Sequence, residues 1–186
     1  MELACVILAA GAGRRFGGDK MRFRIRGKQS LIELTAELYL SVFDEISVVA
    51  SPSQIADHPL QGQHNIRLIT AAHAQLGISQ SLIAGVQANA DAQGLLIALG
   101  DMPYVQQKSV QLLCRAAEPG RITVPVSSGQ QGNPVIFSKH YFPQLQELSG
   151  DTGAKSLIER YPERVTQVAM PDRGILRDID QRSDIY

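Results

Sequence analysis

A glycine-rich segment with three basic residues follows the first apolar run of the chain, Leu3–Leu8. The residues in this segment that could bind an anion are Gly11, Gly13, Arg14, Arg15 and Lys20. Glycine lets backbone N–H groups come close to an anion, and the guanidinium and ammonium groups supply positive charge. The pattern therefore predicts a loop that binds a polyphosphate at the end of a buried strand.

Two common phosphate-binding motifs do not fit this segment. In a P-loop, lysine directly follows glycine and precedes Ser or Thr, whereas Asp19 stands before Lys20 and Met21 follows it. The dinucleotide fingerprint needs a third glycine at the position that Phe16 occupies. These differences argue against a P-loop NTPase and against NAD binding.

A carboxylate stands at the end of another apolar run. Gly94–Leu99 is followed by Gly100 and Asp101, and ligands of open α/β sheets bind beyond the carboxyl ends of the strands. Mg²⁺ takes one or two protein carboxylates and completes its shell with phosphate oxygens and water. We predict Asp101 as a metal ligand and Asp180, in the acidic C-terminal run, as a second candidate. An aspartate at position 101 could instead cap the helix that contains Val110.

Composition restricts the class of protein. The 186 residues suffice for one domain with a sizeable core. The 18 basic and 18 acidic side chains balance, so no net field favours nucleic acid or a membrane as partner. We find no apolar run of membrane-spanning length and no signal peptide. Cys5 and Cys114 lack metal-ligand spacing, which predicts reduced core thiols in a cytoplasmic protein.

Apolar runs and helical periodicities alternate along the chain. Strands are predicted at Leu3–Leu8, Ile46–Ala50, Ile66–Thr70, Gly94–Leu99, Ile122–Val126, Pro134–Phe137 and Val165–Met170. Helices are predicted after the capping box Ser30–Glu33, after Ser79–Ser81, around Val110–Leu113 and over Asp151–Tyr161. The alternation predicts a single three-layer α/β/α domain over 1–186 with a mostly parallel, Rossmann-like sheet.

Two segments of the second half could hold a second substrate. The segment 132–134 leads into the predicted strand Pro134–Phe137, and the segment 150–155 begins the predicted helix Asp151–Tyr161. Backbone N–H groups at a helix start favour an anion such as a phosphate. The ordinary alternatives are a loop that enters an edge strand and a helix capped by Asp151.

The chain resembles the molybdenum cofactor cytidylyltransferases, nucleotidyltransferases with the nucleotide-diphospho-sugar transferase fold. The matching motifs are Leu8–Lys20, Gly77–Leu82 with Gly85, Gly100–Pro103, Gly132–Phe137, Gly150–Lys155 and Asp178–Asp180. The first and third motifs are shared across the superfamily, and the last three are more specific to the molybdopterin branch. The chain departs from the family pattern at Phe16, where methionine is frequent, and at Gln181–Asp184.

The resemblance implies transfer of CMP from CTP to the terminal phosphate of molybdopterin, with release of pyrophosphate and with Mg²⁺ or Mn²⁺ as cofactor. An apo-molybdoenzyme that receives the product would be a protein partner. Lys20, Arg14 and Asp101 are the implied catalytic residues, and Asp101 and Asp180 the implied metal ligands. The implied nucleotide-binding residues are Leu8, Ala9, Ala10, Gly11, Ala12, Gly13, Arg14, Arg15, Lys20, Ser81 and Gly100. The implied acceptor-binding residues are Gly132, Asn133, Pro134, Asp151, Gly153 and Lys155.

The shared motifs do not fix the base. A related guanylyltransferase reads Leu-Ala-Gly-Gly where this chain has Leu8–Gly11, and the extra methyl group of Ala10 would crowd a purine. We therefore interpret Ala10 as favouring CTP over GTP. The open alternatives are a GTP-dependent molybdenum cofactor guanylyltransferase, a nucleotidyltransferase that acts on a sugar or polyol phosphate, and a non-enzymatic carrier of the molybdenum cofactor.

Overall fold

A computed structural model describes residues 1–11 and 16–185. The strands are β1 (Leu3–Leu8), β2 (Ile46–Ala50), β3 (Ile66–Thr70), β4 (Gly94–Leu99), β5 (Ile122–Ser127), β6 (Gln130–Gln131), β7 (Val135–Ser138) and β8 (Val165–Ala169). The helices are α1 (Leu31–Leu40), α2 (Pro52–Ile55), α3 (Ile78–Ala88), α4 (Gln107–Ala116), α5 (Phe142–Gln146) and α6 (Lys155–Arg160). Short 3-10 turns include Lys20–Arg22, Ala74–Leu76 and Arg173–Leu176.

The eight strands of the described ranges form one mixed sheet in the order β3-β2-β1-β4-β7-β5-β6, with β8 beside β5. Strands β1 to β4 run parallel to one another, and β7 lies antiparallel between β4 and β5. At the carboxyl edge Leu8 pairs with Val49 on one side and with Leu99 on the other. The first strand and Gly94–Leu99 are therefore neighbours, and the segments that follow them begin side by side.

The two faces of the sheet bury separate cores, which confirms the predicted three-layer α/β architecture. Along β1, Cys5 and Ile7 pack with α1 and α4, whereas Val6 and Leu8 pack with α3, α5 and α6. The alternation follows from the two-residue period of a strand. Cys5 is a buried free thiol whose pKa is raised by burial. No helix in the described part of the chain is long and apolar enough to cross a membrane.

The predicted helix Asp151–Tyr161 is wrong at its beginning, because α6 starts only at Lys155. Gly150 adopts a left-handed backbone (φ 61°) and its carbonyl oxygen accepts a hydrogen bond from Ser79 N at 3.3 Å. The chain therefore turns toward the start of α3 before it becomes helical. The other boundaries differ less: α3 already begins at Ile78, and the strand predicted from Pro134 begins at Val135, since proline has no N–H for the ladder.

The C-terminal segment packs backbone to backbone against the connection between β4 and α4. A Cβ at Gly174 would lie 1.9 Å from the Tyr104 carbonyl oxygen. The buried Asp172 carboxylate accepts hydrogen bonds from Gln106 N, Ser109 Oγ and Gly174 N at 2.7–2.8 Å. Asp172, rather than Asp101, thus holds the beginning of α4.

Gly174→Ala should therefore destabilise the protein. The added methyl group must separate two backbones, and overpacking of this kind costs about 2–3 kcal/mol, which in a chain of this length lowers Tm by about 5–10 °C. Thermal unfolding measures the change. Gly18→Ala is the control, because a Cβ there would meet no described atom within 4 Å. Equal Tm values for the two variants would contradict the close contact.

Candidate active site

A cavity of about 960 Å³ opens at the carboxyl ends of β1, β2 and β4. Its wall collects residues from both halves of the chain, among them Leu8, Ala10, Gly11, Phe16, Lys20, Ser81, Asp101, Asp151 and Asp180. A cavity at this edge of an open α/β sheet is the usual place for a ligand. Among the described residues, this cavity therefore brings one of the candidate cations, Lys20, together with the Asp101 carboxylate.

The Lys20 ammonium lies between two carboxylates of the cavity wall. Lys20 is 7% exposed, and its Nζ lies 2.7 Å from Asp101 Oδ2 and 3.2 Å from Asp180 Oδ1. Burial lowers the pKa of Lys20, but hydrogen bonds and negative charges from Asp101 and Asp180 more than offset this, and the pKa is raised overall. The side chain therefore carries a fixed positive charge at neutral pH.

Asp19 gives the local reason for the inward position of Lys20. Its carboxylate accepts a hydrogen bond from Met21 N at 3.1 Å and so caps the 3-10 turn Lys20–Arg22. A second oxygen of Asp19 lies 3.2 Å from Arg22 Nε. Asp19, whose presence before Lys20 distinguishes this sequence from a P-loop, is thus the cap of the turn that carries the buried lysine.

Three carboxylates meet beside Lys20 in an arrangement that could bind a divalent cation. Asp101, Asp178 and Asp180 each present an oxygen within 4.8 Å of the others. The Oδ1 atom of Asp101 is buried and has no hydrogen-bond partner in the described ranges. An ionised carboxylate only accepts, and Mg²⁺ and Mn²⁺ prefer such oxygens. The residues fit a divalent cation, and they include Asp178, which sequence reasoning left out of the metal site.

Backbone contacts fix the C-terminal aspartates next to Asp101. Ile179 is fully buried, and its N–H donates to the Asp101 carbonyl oxygen at 2.9 Å. The Asp184 carboxylate accepts hydrogen bonds from Asp180 N at 2.9 Å and Gln181 N at 2.7 Å. Asp184 therefore shapes the segment that carries Asp180.

The predicted nucleotide-binding residues fall into three groups. Leu8, Ala10, Gly11 and Ser81 line the cavity along with Lys20. Ala9 and Gly100 support the wall from behind: Ala9 is buried in the core, and Gly100 N donates to Leu8 O at 2.9 Å. The remaining candidates lie outside the described residues: Ala12, Gly13, Arg14 and Arg15.

Asp151 is the predicted acceptor-binding residue that lines the cavity in the described part of the chain. Gly132 instead packs on the C-terminal segment, where a Cβ would lie 2.2 Å from Ile175 O, and Asn133 N donates to the same oxygen at 2.9 Å. Pro134 follows in the connection to β7.

The segment at the start of α6 contributes less than predicted. Lys155 is exposed, and its Nζ lies 3.7 Å from Glu159 Oε1 on the same helix, while Gly153 packs near Ile78. The structure therefore brings Asp151, but not the other five, to the cavity.

One part of the cavity wall was missed by sequence reasoning. Ser51 and Gln54 line the cavity after β2, and Gln54 Oε1 accepts hydrogen bonds from Ser51 N and Ser51 Oγ, both at 2.9 Å. The capping-box pattern Ser-x-x-Gln directly after a predicted strand is a signal that could have found them.

Comparison with known proteins gives a family and several relatives. Residues 5–165 match the MobA-like NTP transferase domain. The chain is 28% identical to the nicotine blue oxidoreductase of Paenarthrobacter nicotinovorans, over 100% of this chain and 97% of that one. It is 27% identical to the probable molybdenum cofactor guanylyltransferase of Aquifex aeolicus, over 97% and 87%. The crystal structure of Rv0371c from Mycobacterium tuberculosis H37Rv superposes with a TM-score of 0.83, at 21% identity over 99% and 95%.

Because the Lys20 ammonium contacts two carboxylates of the candidate metal site, it should compete with a metal ion. Lys20→Ala should strengthen Mn²⁺ binding to the nucleotide-free protein on the order of tenfold, since a positive charge within 4 Å is removed. Asp101→Asn should weaken it. Titration followed by electron paramagnetic resonance at neutral pH measures both, with the exposed Lys108→Ala as control. An affinity that is the same for Lys20→Ala and Lys108→Ala would contradict the competition.

Proposed function

Since the chain belongs to the family of MobA-like NTP transferase domains, we propose that it transfers a nucleoside monophosphate from an NTP to the phosphate of a molybdopterin-type acceptor. The observation that carries the proposal is the Lys20 ammonium held between Asp101 and Asp180 in a cavity at the strand ends. A fixed cation beside acceptor oxygens suits a polyphosphate with its metal ion.

The proposed reaction needs charge neutralisation and alignment more than proton transfer. An oxygen of the acceptor phosphate forms a bond to the α-phosphorus, and the bond between the α-phosphorus and the bridging oxygen breaks as pyrophosphate leaves. The acceptor phosphate is already an anionic nucleophile, so the reaction needs no general base. Lys20 stabilises the charge at the α-phosphate, and positioning within the cavity supplies the alignment.

Other parts of the site have distinct proposed roles. Backbone N–H groups of 10–13 bind the β- and γ-phosphates, and Arg14 and Arg15 hold the departing pyrophosphate. Asp101 and Asp180, with Asp178 beside them, would hold Mg²⁺, which supplies Lewis-acid neutralisation of phosphate oxygens. Ser81, which is buried at the cavity wall, contacts the ribose or the base.

The first half of the chain supplies the nucleotide side of the proposed site, and the second half supplies the acceptor side. Asp151 supports this division, because it reaches the same cavity as Lys20 from the second half of the chain. A carrier that only binds the cofactor would not need a buried lysine and a cluster of three carboxylates at the cavity. We therefore favour an enzymatic function over that of a non-enzymatic carrier.

The donor base has two candidates. Relatives named as probable molybdenum cofactor guanylyltransferases, including those of Aquifex aeolicus and Natranaerobius thermophilus, favour GTP, and this support is stronger than that for CTP. CTP is the second candidate because Ala10 lines the cavity, where we expect its methyl group to reduce the space for a purine. Ala10→Gly should increase kcat/KM for GTP relative to CTP if the methyl group limits the size of the base that the cavity accepts.

Pyrophosphate release with GTP, CTP, ATP and UTP, each with and without molybdopterin, tests the function. We expect release that requires both a preferred nucleotide and the pterin. Lys20→Ala should lower turnover on the order of 10²–10³-fold, as removal of one electrostatic group does, while Lys108→Ala should retain it. Binding of molybdopterin without pyrophosphate release would favour the carrier, and equal activity on sugar phosphates would overturn the proposed acceptor.

A further inference from the structure

Asp151 reaches the cavity because two backbones meet without side chains between them. A Cβ at Gly77 would lie 2.2 Å from the Gly150 carbonyl oxygen and 2.7 Å from Asp151 N. Ser79 N also donates to the Gly150 oxygen at 3.3 Å. The turn that carries Asp151 is therefore docked directly on the start of α3, and a carboxylate from the second half of the chain lines the same cavity as Lys20 and Ser81.

The surroundings of Asp151 differ from those of the Lys20 cluster. Ile78 lines the cavity wall beside this turn and is 37% exposed, so it presents an apolar surface to the cavity. The Cγ2 atom of Ile78 lies 3.8 Å from where a Cβ at Gly153 would stand, which places it against the same turn. An apolar surface next to an acceptor-only carboxylate suits the face and the edge of a flat ring with N–H donors.

We infer that the Asp151 carboxylate recognises a 2-amino-4-oxo-pyrimidine edge, an inference that rests on the proposed function. This edge carries a ring N–H next to an amino group, two adjacent donors that match the two oxygens of a carboxylate. Cytosine has a single donor on its pairing edge, beside two acceptors, and cannot form that pair. The edge occurs in the pterin of the acceptor and in the guanine of GTP.

Ring selectivity in equilibrium binding tests the inference apart from catalysis. The probes are pterin and lumazine, which has an oxo group in place of the 2-amino group and so directs an acceptor at the carboxylate. The native protein should bind pterin about tenfold to a hundredfold more tightly than lumazine, as expected for a hydrogen bond to a charged group. Asp151→Asn should remove or reverse this preference, because its amide can donate to the oxo group.

The matched control is Asp91→Asn, which changes an exposed aspartate just before β4, at the opposite edge of the sheet. It should keep the preference of the native protein. Gly77→Ala should reduce the preference with Asp151 intact, because the methyl group displaces the docked turn. An unchanged ratio of pterin to lumazine affinities in Asp151→Asn would overturn the inference, whereas the proposed function would still stand on pyrophosphate release.

Donor kinetics distinguish the two sources of the edge. If the pterin of the acceptor is recognised, Asp151→Asn raises KM for molybdopterin with either donor nucleotide. If the guanine is recognised, the variant raises KM for GTP and leaves KM for CTP and for molybdopterin unchanged. Both results support recognition of the edge by Asp151 and identify the molecule that carries it. If the variant changes none of the three KM values, recognition of the edge by Asp151 is contradicted.

Discussion

The ion pairs of Lys20 with Asp101 and Asp180 join three distant parts of the chain at one point. A buried ammonium is costly unless opposite charges and hydrogen bonds surround it. Here the two carboxylates provide both, at 2.7 and 3.2 Å. The positions of the turn Lys20–Arg22, the end of β4 and the C-terminal segment therefore depend on one another, and the loss of either carboxylate leaves the buried charge partly uncompensated.

The rest of the C-terminal segment is built to keep this arrangement in place. Ile179 fills the small apolar cluster around Phe16, and the guanidinium of Arg182 lies over the rings of Phe16 and Phe23 at 5.8 and 5.3 Å. Earlier in the same segment, the Asp172 carboxylate accepts hydrogen bonds from Gln106 N and Ser109 Oγ at the start of α4. The segment thus supports both the carboxylates and the aromatic residues at the end of the glycine-rich loop.

The sequence predicts the parallel part of the fold well, because Leu3–Leu8, Ile46–Ala50, Ile66–Thr70 and Gly94–Leu99 are apolar runs of strand length with clear ends. Lys20 and Asp101 each lie beyond the end of such a run, where ligands of open α/β sheets bind, which makes both residues candidates from the sequence alone. The start of α6 could not be predicted, because it depends on a long-range contact between Gly150 and Ser79.

The contact made by Gly132 is likewise non-local, since Ile175 belongs to a segment about 40 residues away. Asp178 belongs to the same acidic run as Asp180, but it joins the carboxylate cluster because Ile179 is anchored to Asp101, a contact that the local sequence does not show. Periodicity thus describes the elements, whereas backbone-to-backbone contacts decide which side chains of the second half reach the cavity.

In the proposed site, Asp101 and Asp180 hold the metal ion of a nucleotide whose phosphates lie beside Lys20. Anomalous diffraction at the manganese edge, from crystals grown with MnCl₂ and a non-hydrolysable GTP or CTP analogue, would locate this ion. We expect a manganese peak within about 2.5 Å of oxygens of both carboxylates, with analogue phosphates next to Lys20 Nζ. A nucleotide bound with its metal away from both aspartates, and with the contacts of Lys20 unchanged, would contradict the proposed site.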